Sequence, residues 1–223
     1  MPRILLLEKE GAEDLLQACA AVLRGGGLVI LPTETVYGLA AKADHAPAVR
    51  RLFQVKGRSP DKPLVVMVSS TEEAAALVAP EDRDGIRRLG TFWPGPLTLV
   101  ARAAGLAWLE EVRAGSADVG LRVPHHPFLL RLLAEVGPLA VTSANLSGGE
   151  APARFADLDP VLLEGVELAV DGGESGTGRP STVALVSGGR LKVLREGDLG
   201  EEELRRAWGS DAPFPEEAGP SGG

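Results

Sequence analysis

The chain has 223 residues, 44% of them hydrophobic but only 4% aromatic, and a formal net charge of −8. This length and apolar content fit one α/β domain with an aliphatic core, and no apolar run approaches the roughly 18 residues of a membrane span. Residues 196–223 carry eight acidic side chains against two arginines, so residues 1–195 have a net charge of only −2. The composition therefore excludes a whole-protein field that attracts nucleic acid, and it leaves room for a local basic cleft.

Two further features indicate a cytoplasmic protein. The apolar segment near the N-terminus is too short for a signal peptide. Cys19 is the single cysteine, which excludes an intramolecular disulfide, and its place on a predicted amphipathic helix indicates core packing rather than a nucleophile. We expect residues 1–208 to form one folded domain, and residues 209–223, rich in Pro, Gly, Ser and Glu, to form a disordered acidic tail.

Apolar periodicity predicts an alternating series of strands and helices. The predicted strands are residues 3–7, 28–31, 64–68, 97–101, 119–123, 139–141, 166–170, 183–186 and 191–195. The predicted helices are residues 12–24, 46–55, 72–78, 82–89, 124–136 and 200–208. The weakly patterned segments 103–118 and 149–165 are predicted as loop with a little helix, and 171–180 as a flexible glycine-rich loop. This alternation indicates an α/β fold.

Residues 29–40, VILPTETVYGLA, join a short apolar strand to a polar loop that ends in glycine. Such a loop can carry ligand-binding residues, because α/β sheets usually bind ligands at strand ends. An ordinary turn, in which Thr33 and Glu34 cap the local backbone, explains the same pattern. This segment alone does not separate the two interpretations.

A basic loop, KGRSPDKP, follows the helix predicted at residues 46–55. It holds Lys56, Arg58 and Lys62 within seven residues, although the whole chain has only five lysines. One interpretation is a solvated basic loop. The other is a set of phosphate contacts, because an ammonium group is a compact charge and a guanidinium group binds oxygens in pairs.

Arg122 is a charged residue inside an apolar strand. If it is buried it needs a partner, which either an anionic ligand or a structural carboxylate can supply. His125 and His126 follow it, but adjacent histidines rarely bind one metal ion without further ligands, so we predict no metal site. Ser143 and Asn145, the only asparagine, end a later strand. They suit either a ligand or a local side-chain turn.

Seven segments occur in one order along residues 28–197: LPTETVYGLA, KGRSPDKPLVVMV, WPGPLTLV, VGLRVPHHP, TSANLSG, STVALV and LREG. Together they resemble the YrdC-like threonylcarbamoyl-AMP synthases, and seven motifs in the family's order make the resemblance specific. The resemblance implies a single α/β domain, in which a twisted mixed sheet is flanked by helices around a deep basic cleft. It also implies the short form, since the C-terminal domain of longer members has no counterpart in the sequence.

The resemblance also implies a reaction. L-Threonine, bicarbonate and ATP, accompanied by Mg²⁺, would give L-threonylcarbamoyl-AMP and pyrophosphate. Other proteins would then transfer the threonylcarbamoyl group to the adenosine beside the anticodon of certain tRNAs, so we expect direct tRNA binding by this chain to be weak or absent. Attack of a carbamate on the α-phosphate needs positioning and electrostatic stabilisation rather than a covalent nucleophile.

The site residues follow from the same resemblance. The implied catalytic residues are Lys56, Arg58, Ser143 and Asn145. The implied ATP contacts are Arg58, Lys62, Asp118, Ser143 and Arg195. The implied L-threonine contacts are Thr35, Met67, Arg122, Val141 and Ser181, supported by Thr33 and Thr182. Arg122 is assigned to the carboxylate because a guanidinium pairs with it bidentately. The chain departs from the family's usual residues at Met67, Asp118 and His125.

Two alternative functions are compatible with the same fold. The first is an RNA-binding module of the same fold, which the acidic balance of the chain disfavours. The second is a relative that makes carbamoyl-AMP from another donor. Such domains usually form part of much larger proteins, so the length of this chain disfavours the second alternative.

Overall fold

The computed structural model describes residues 2–9 and 11–209 of the protein. The strands in this part are β1 (Arg3–Leu6), β2 (Val29–Leu31), β3 (Gly38–Lys42), β4 (Val65–Met67), β5 (Leu97–Arg102), β6 (Asp118–Arg122), β7 (Leu139–Ser143), β8 (Leu168–Asp171), β9 (Thr182–Ser187) and β10 (Arg190–Arg195). The helices are α1 (Ala12–Arg24), α2 (Ala46–Lys56), α3 (Thr71–Ala76), α4 (Arg83–Leu89), α5 (Leu109–Arg113), α6 (Pro127–Val136), α7 (Pro160–Glu164) and α8 (Glu201–Trp208).

The ten strands form one mixed sheet in the order β1-β8-β2-β3-β7-β4-β6-β5-β9-β10. The parallel pairs are β1–β8, β8–β2, β4–β6 and β5–β9, and the other neighbours are antiparallel. The predicted α/β class with a mixed sheet flanked by helices is therefore confirmed. No helix in residues 2–9 or 11–209 is long and apolar enough to cross a membrane.

Alternate residues of the central strands belong to two different core clusters. On β2, Ile30 lies in one cluster and Val29 in the other, and on β3 the same holds for Leu39 and Ala40. Helices α1 and α6 pack together on the side of Val29 and Ala40, whereas α2 packs against β3 from the opposite side. Because both faces are covered, these strands have apolar residues at successive positions instead of a polar alternation.

The predicted strands and helices are confirmed, most with boundaries within two residues; α6 begins at Pro127, three residues later than predicted. The omission of β3 was wrong: its sequence, GLAAK, consists mostly of small side chains that give no strand signal. Short helices α5 and α7 lie in the two weakly patterned segments. The predicted tail at 209–223 lies, apart from Gly209, outside the described residues, so the domain limit stays a prediction.

Candidate functional site

A cavity of about 240 Å³ lies on the face of the sheet that carries α1 and α6. On β4, Met67 lines it and shares the cluster of those helices, whereas Val66 points into the opposite core. The cavity is bordered by the turn after β2 and by the segment before β9. Among its described lining residues the charged ones are all arginines, namely Arg58, Arg122 and Arg195.

The structure brings most of the predicted site residues into this one cavity. Its wall includes Thr35, Arg58, Met67, Arg122, Val141, Ser143, Ser181 and Arg195. Lys56 and Asn145 stand directly behind Ser143 and do not line the cavity. Lys62 is exposed, and Asp118 lies at the far end of β6 opposite Arg102; neither lines the cavity.

Arg122 ends β6 and is only 6% exposed. Its Nη2 lies 3.0 Å from Thr35 Oγ1 and 2.8 Å from Glu34 Oε1. The buried charge therefore has a structural carboxylate beside it, which was one of the two alternatives for Arg122, and it also lines the cavity, where an anionic ligand could reach it. No pattern in the sequence indicates that Glu34 is this partner, because 88 residues separate Glu34 from Arg122 and the chain has many other acidic residues.

Thr33 and Thr35 form a buried hydroxyl pair in the turn after β2. Thr33 Oγ1 donates to the carbonyl of Val36 at 2.7 Å, so the 3.0 Å contact between the two hydroxyls has Thr35 as donor. Thr35 Oγ1 in turn accepts from Arg122 Nη2. The segment is thus both an ordinary side-chain turn and part of the cavity wall.

Ser181 is held from two sides. Its hydroxyl lies 2.8 Å from Thr98 Oγ1, and its carbonyl accepts from Arg195 Nη2 at 2.8 Å. The next residue, Thr182, bonds to the backbone of Gly197 and Leu199 and so supports the segment. Thr98 lines the cavity and was missed, although a polar residue within the apolar run LTLVA was a usable signal.

Lys56 ends α2 and joins the two motifs predicted to be catalytic. It is 2% exposed, and Nζ contacts the carbonyl and hydroxyl of Ser143 and, at 3.1 Å, Asn145 Oδ1. Burial, and next the positive charge of Arg58, lowers the pKa of Lys56 to about 8. The amide nitrogen of Asn145 donates to the carbonyls of Leu146 and Gly149, so Asn145 also makes the local turn that was the alternative.

Arg58 follows Gly57, whose φ of 60° turns the chain away from α2. Its Nε and Nη2 donate to the carbonyls of Lys62 and Pro63 at 3.0 and 2.8 Å. Burial lowers the pKa of Arg58, and the charge of Asp61 opposes that change. The guanidinium is therefore held at the cavity by its own loop, and it forms no ion pair within residues 2–9 and 11–209.

The glycine-rich loop at residues 171–180, which was predicted to be flexible, is hydrogen-bonded to the turn after β2. Tyr37 Oη donates to the carbonyl of Gly173 and accepts from the nitrogen of Gly172, both at 3.0 Å. Ser175 Oγ donates to the carbonyl of Thr33 at 2.6 Å, and Gly178 N donates to the carbonyl of Thr35 at 2.9 Å. The loop therefore holds one cavity wall in place.

Comparisons with known proteins identify the family of the chain. The Sua5/YciO/YrdC family model, described as "Telomere recombination", matches residues 21–197. The chain belongs to this family. Threonylcarbamoyl-AMP synthase of Bacillus subtilis strain 168 is 37% identical over 191 residues, which cover 85% of the chain and 55% of that protein. A putative threonylcarbamoyl-AMP synthase of Mycobacterium tuberculosis H37Rv is 38% identical over 87% of the chain and 89% of its own length.

A solved structure of the Sua5/YciO/YrdC family has the same fold. The crystal structure of P. abyssi Sua5 complexed with L-threonine matches 93% of the chain with a TM-score of 0.81 and 32% identity. The match covers 60% of that protein, so the chain spans little more than half the length of the Bacillus and Pyrococcus relatives. The family resemblance inferred from the seven motifs is confirmed.

In this family member the pKa of Lys56 predicts a pH-dependent stability. The unfolded chain keeps the ordinary lysine pKa of 10.5, whereas the folded protein releases the proton near pH 8. The free energy of unfolding should therefore rise as pH increases from about 8 to 10.5, and this contribution is lost as pH falls through 8. In urea unfolding, the difference between the unmodified protein and Lys56→Met should grow by about 2 kcal/mol over that range. A pH-independent difference would contradict the shift.

Proposed function

We propose that this chain synthesises L-threonylcarbamoyl-AMP and pyrophosphate from L-threonine, bicarbonate and ATP. The names of the relatives support this activity. The observation that carries the proposal is that Arg122 with Thr35, and Arg58 with Ser143, line one cavity. Arg122 suits the carboxylate of an amino acid, and Arg58 suits the phosphates of a nucleotide.

On the amino-acid side, Arg122 takes the carboxylate of L-threonine. Thr35 donates its hydroxyl proton to Thr33, so it offers an acceptor to the polar hydrogens of the substrate. Ser181, fixed by Thr98, offers a hydroxyl to the polar atoms of the substrate. Met67 and Val141 are 4% and 6% exposed and line the same cavity, so they supply an apolar surface for the threonine methyl group.

On the nucleotide side, Arg58 and Arg195 face the phosphates of ATP. Burial lowers the pKa of Arg195, and the charge of nearby Arg122 lowers it further. Arg195 is therefore a second cation close to the amino-acid side. Lys56 and Asn145 hold Ser143 from behind. Two further ATP contacts are proposed outside the cavity wall: Lys62 and Asp118.

The chemistry follows from this arrangement of charges. The neutral amino group of threonine becomes a carbamate by adding either to bicarbonate, with release of water, or to carbon dioxide, with release of a proton to solvent. A carbamate oxygen then forms a bond to the α-phosphorus of ATP as the bond to the β-phosphate oxygen breaks and pyrophosphate leaves. Arg58 and Arg195 stabilise the charge that develops on the leaving group. Cys19 takes no part, since it is fully buried and burial raises its pKa to about 12.

Mg²⁺ is proposed to enter as the companion of ATP. Within the described residues, no group of three or more His, Cys, Asp or Glu side chains could hold a metal ion. The charged residues of the cavity wall are arginines, so the phosphates themselves would carry the ion. When bound, it would neutralise part of the pyrophosphate charge.

The direct test is pyrophosphate release by the purified protein. We expect release from ATP only when both L-threonine and bicarbonate are present, because the carbamate is the nucleophile. Omission of either should reduce the rate to the background of a reaction without protein. Release that continues unchanged without L-threonine or without bicarbonate would overturn the proposed function.

Thermal stability separates the synthase from a carbamoyl-AMP-forming relative and from an RNA-binding module. In the presence of ATP, L-threonine at about 100 times its Kd should raise the Tm by about 5–10 °C. Carbamoyl phosphate at the same concentration should not. The opposite pattern would favour a carbamoyl-AMP-forming relative, and salt-sensitive RNA binding without turnover would favour an RNA-binding module.

The product would be used by other proteins. A mixed anhydride of a carbamate and AMP is an activated acyl donor, so we propose that downstream proteins transfer its threonylcarbamoyl group to tRNA. Direct tRNA binding by this chain is proposed to be weak or absent, because its net charge is −8. We propose that the reaction takes place in the cytoplasm.

A further inference from the structure

An acidic residue that the proposed reaction does not use lies against Arg122. Glu34 Oε1 is 2.8 Å from Arg122 Nη2 and also accepts a hydrogen bond from the backbone nitrogen of His125 at 2.9 Å. The two side chains are only 15% and 7% exposed. Because the pair is shielded from water, salt screens it little, and removal of one partner would leave the other charge buried.

The backbone of Glu34 is fixed by the glycine-rich loop. Thr177 N donates to the carbonyl of Glu34 at 3.2 Å, and Gly176 passes so close that a Cβ there would lie 1.7 Å from that carbonyl oxygen. Glu34 itself does not line the cavity, whereas its neighbours Thr33 and Thr35 do. Glu34 therefore lies behind Arg122 and approaches it from outside the binding space.

Arg122 contacts Thr35 and Glu34 through Nη2, on one edge of its guanidinium group. Arg122 Nε and Glu34 Oε2 are both buried and have no hydrogen-bond partner among the described residues. Nε shares an edge with Nη2, and Oε2 shares a carboxylate with Oε1, so a small rotation of Glu34 converts one contact into a bidentate pair. Nη1 lies outside this edge, and Arg122 lines the cavity, so Nη1 is the donor left for a ligand.

We propose that Glu34 is a positioning residue, which holds the Nε–Nη2 edge of Arg122 so that Nη1 meets the carboxylate of the amino-acid substrate. The inference rests on the proposed function for the class of ligand, an α-amino acid with a free carboxylate. The effect of Glu34 should therefore appear on the amino-acid side and not on the nucleotide side.

The test uses the full chain with Glu34→Gln, which keeps the volume and one acceptor but removes the charge. Calorimetric titration with L-threonine should give a Kd raised about 10-fold or more, because Arg122 is no longer fixed. The KM for L-threonine should rise by a similar factor while the KM for ATP stays unchanged. A merely structural role would lower kcat through the fraction of folded protein and would move neither KM.

Glu135→Gln is the matched control. Glu135 also pairs with an arginine, since Glu135 Oε1 lies 2.5 Å from Arg24 Nη2, but the pair joins the surfaces of α1 and α6 away from the cavity. This variant should bind L-threonine with the Kd of the unmodified protein.

The possible outcomes separate this inference from the proposed function. If the unmodified protein does not bind L-threonine, both the proposed function and the positioning role of Glu34 are wrong. If the unmodified protein binds and Glu34→Gln binds equally well, only the positioning role fails. Should Glu34→Gln not fold, Glu34→Asp keeps the charge but is too short to reach Arg122 from its fixed backbone. An unchanged Kd for L-threonine in Glu34→Asp would likewise overturn the proposal.

Discussion

Replacement of Arg58 with alanine is expected to lower threonine- and bicarbonate-dependent pyrophosphate release by about 10³-fold or more. Arg58 lines the cavity, has no carboxylate partner among the described residues, and is oriented by the carbonyls of Lys62 and Pro63. Its charge is thus available to a ligand. A preoriented cation that stabilises charge in the transition state has a far larger effect on rate than on stability.

The fold of Arg58→Ala should stay intact. The lost hydrogen bonds join Arg58 to residues four and five positions away in one partly exposed loop, so we expect the free energy of unfolding to fall by less than about 1 kcal/mol. Steady-state kinetics and urea unfolding of the same preparation measure both effects. Arg131→Ala, which removes an exposed ion pair to Glu13, is the control and should keep full activity.

Lys56→Ala is also expected to abolish activity, but the structure makes it a less clean test. Lys56 is buried, and its removal takes a donor away from the carbonyl of Ser143 and leaves Oδ1 of Asn145 with the Ser143 hydroxyl as its donor. We expect a loss of stability of about 1–3 kcal/mol besides the loss of rate. Full activity in Arg58→Ala would contradict the assignment of the phosphate side, whatever Lys56→Ala shows.

The largest effect on stability is expected for Gly176→Ala. Gly176 has a φ of +44°, and a Cβ at this position would lie 1.7 Å from the carbonyl oxygen of Glu34. The loop must move away, which breaks the hydrogen bonds from Thr177 N to Glu34 O and from Gly178 N to Thr35 O. We expect the free energy of unfolding to fall by about 3 kcal/mol or more, together with weaker binding of L-threonine.

Gly173→Ala is the matched control for this steric argument. It lies in the same loop with a φ of +70°, but a Cβ there would meet no atom within 4 Å. Alanine at Gly173 therefore costs only the strain of a left-handed backbone, about 1 kcal/mol. Urea unfolding of both variants and calorimetric titration with L-threonine measure the difference. Equal losses in the two variants would show that the close approach to Glu34 is unimportant.

Most of the strands and helices could be predicted from the sequence. The strands are apolar runs, and the helices have apolar residues at helical spacing. The parallel pairing of β1 with β8 could not be predicted from the sequence, because Arg3 and Leu168 pair across a long sequence separation that no local pattern spans. Strand β3 was missed for a different reason. Its small residues are dictated by burial between neighbouring strands and not by an alternating pattern.

The candidate site was predictable in its residue types and not in its supporting contacts. Arg122 is a charged residue in an apolar strand, and a buried charge needs a partner. The identity of the partner, Glu34, depends on where the turn after β2 meets the end of β6, which only the folded chain defines. The role of Thr98 also depends on the folded chain, because its hydroxyl lies 2.8 Å from that of Ser181, which is 83 residues away in the sequence.

The strand order also has a consequence during protein synthesis. Strands β1 and β2 each pair with β8, and β5 pairs with β9. These strands therefore cannot pair with their partners until segments that leave the ribosome much later have been synthesised. The residues that line the cavity range from Thr33 to Arg195. A growing chain therefore has no complete pocket until nearly the whole domain has emerged, and substrate can stabilise the finished protein but cannot guide its early folding.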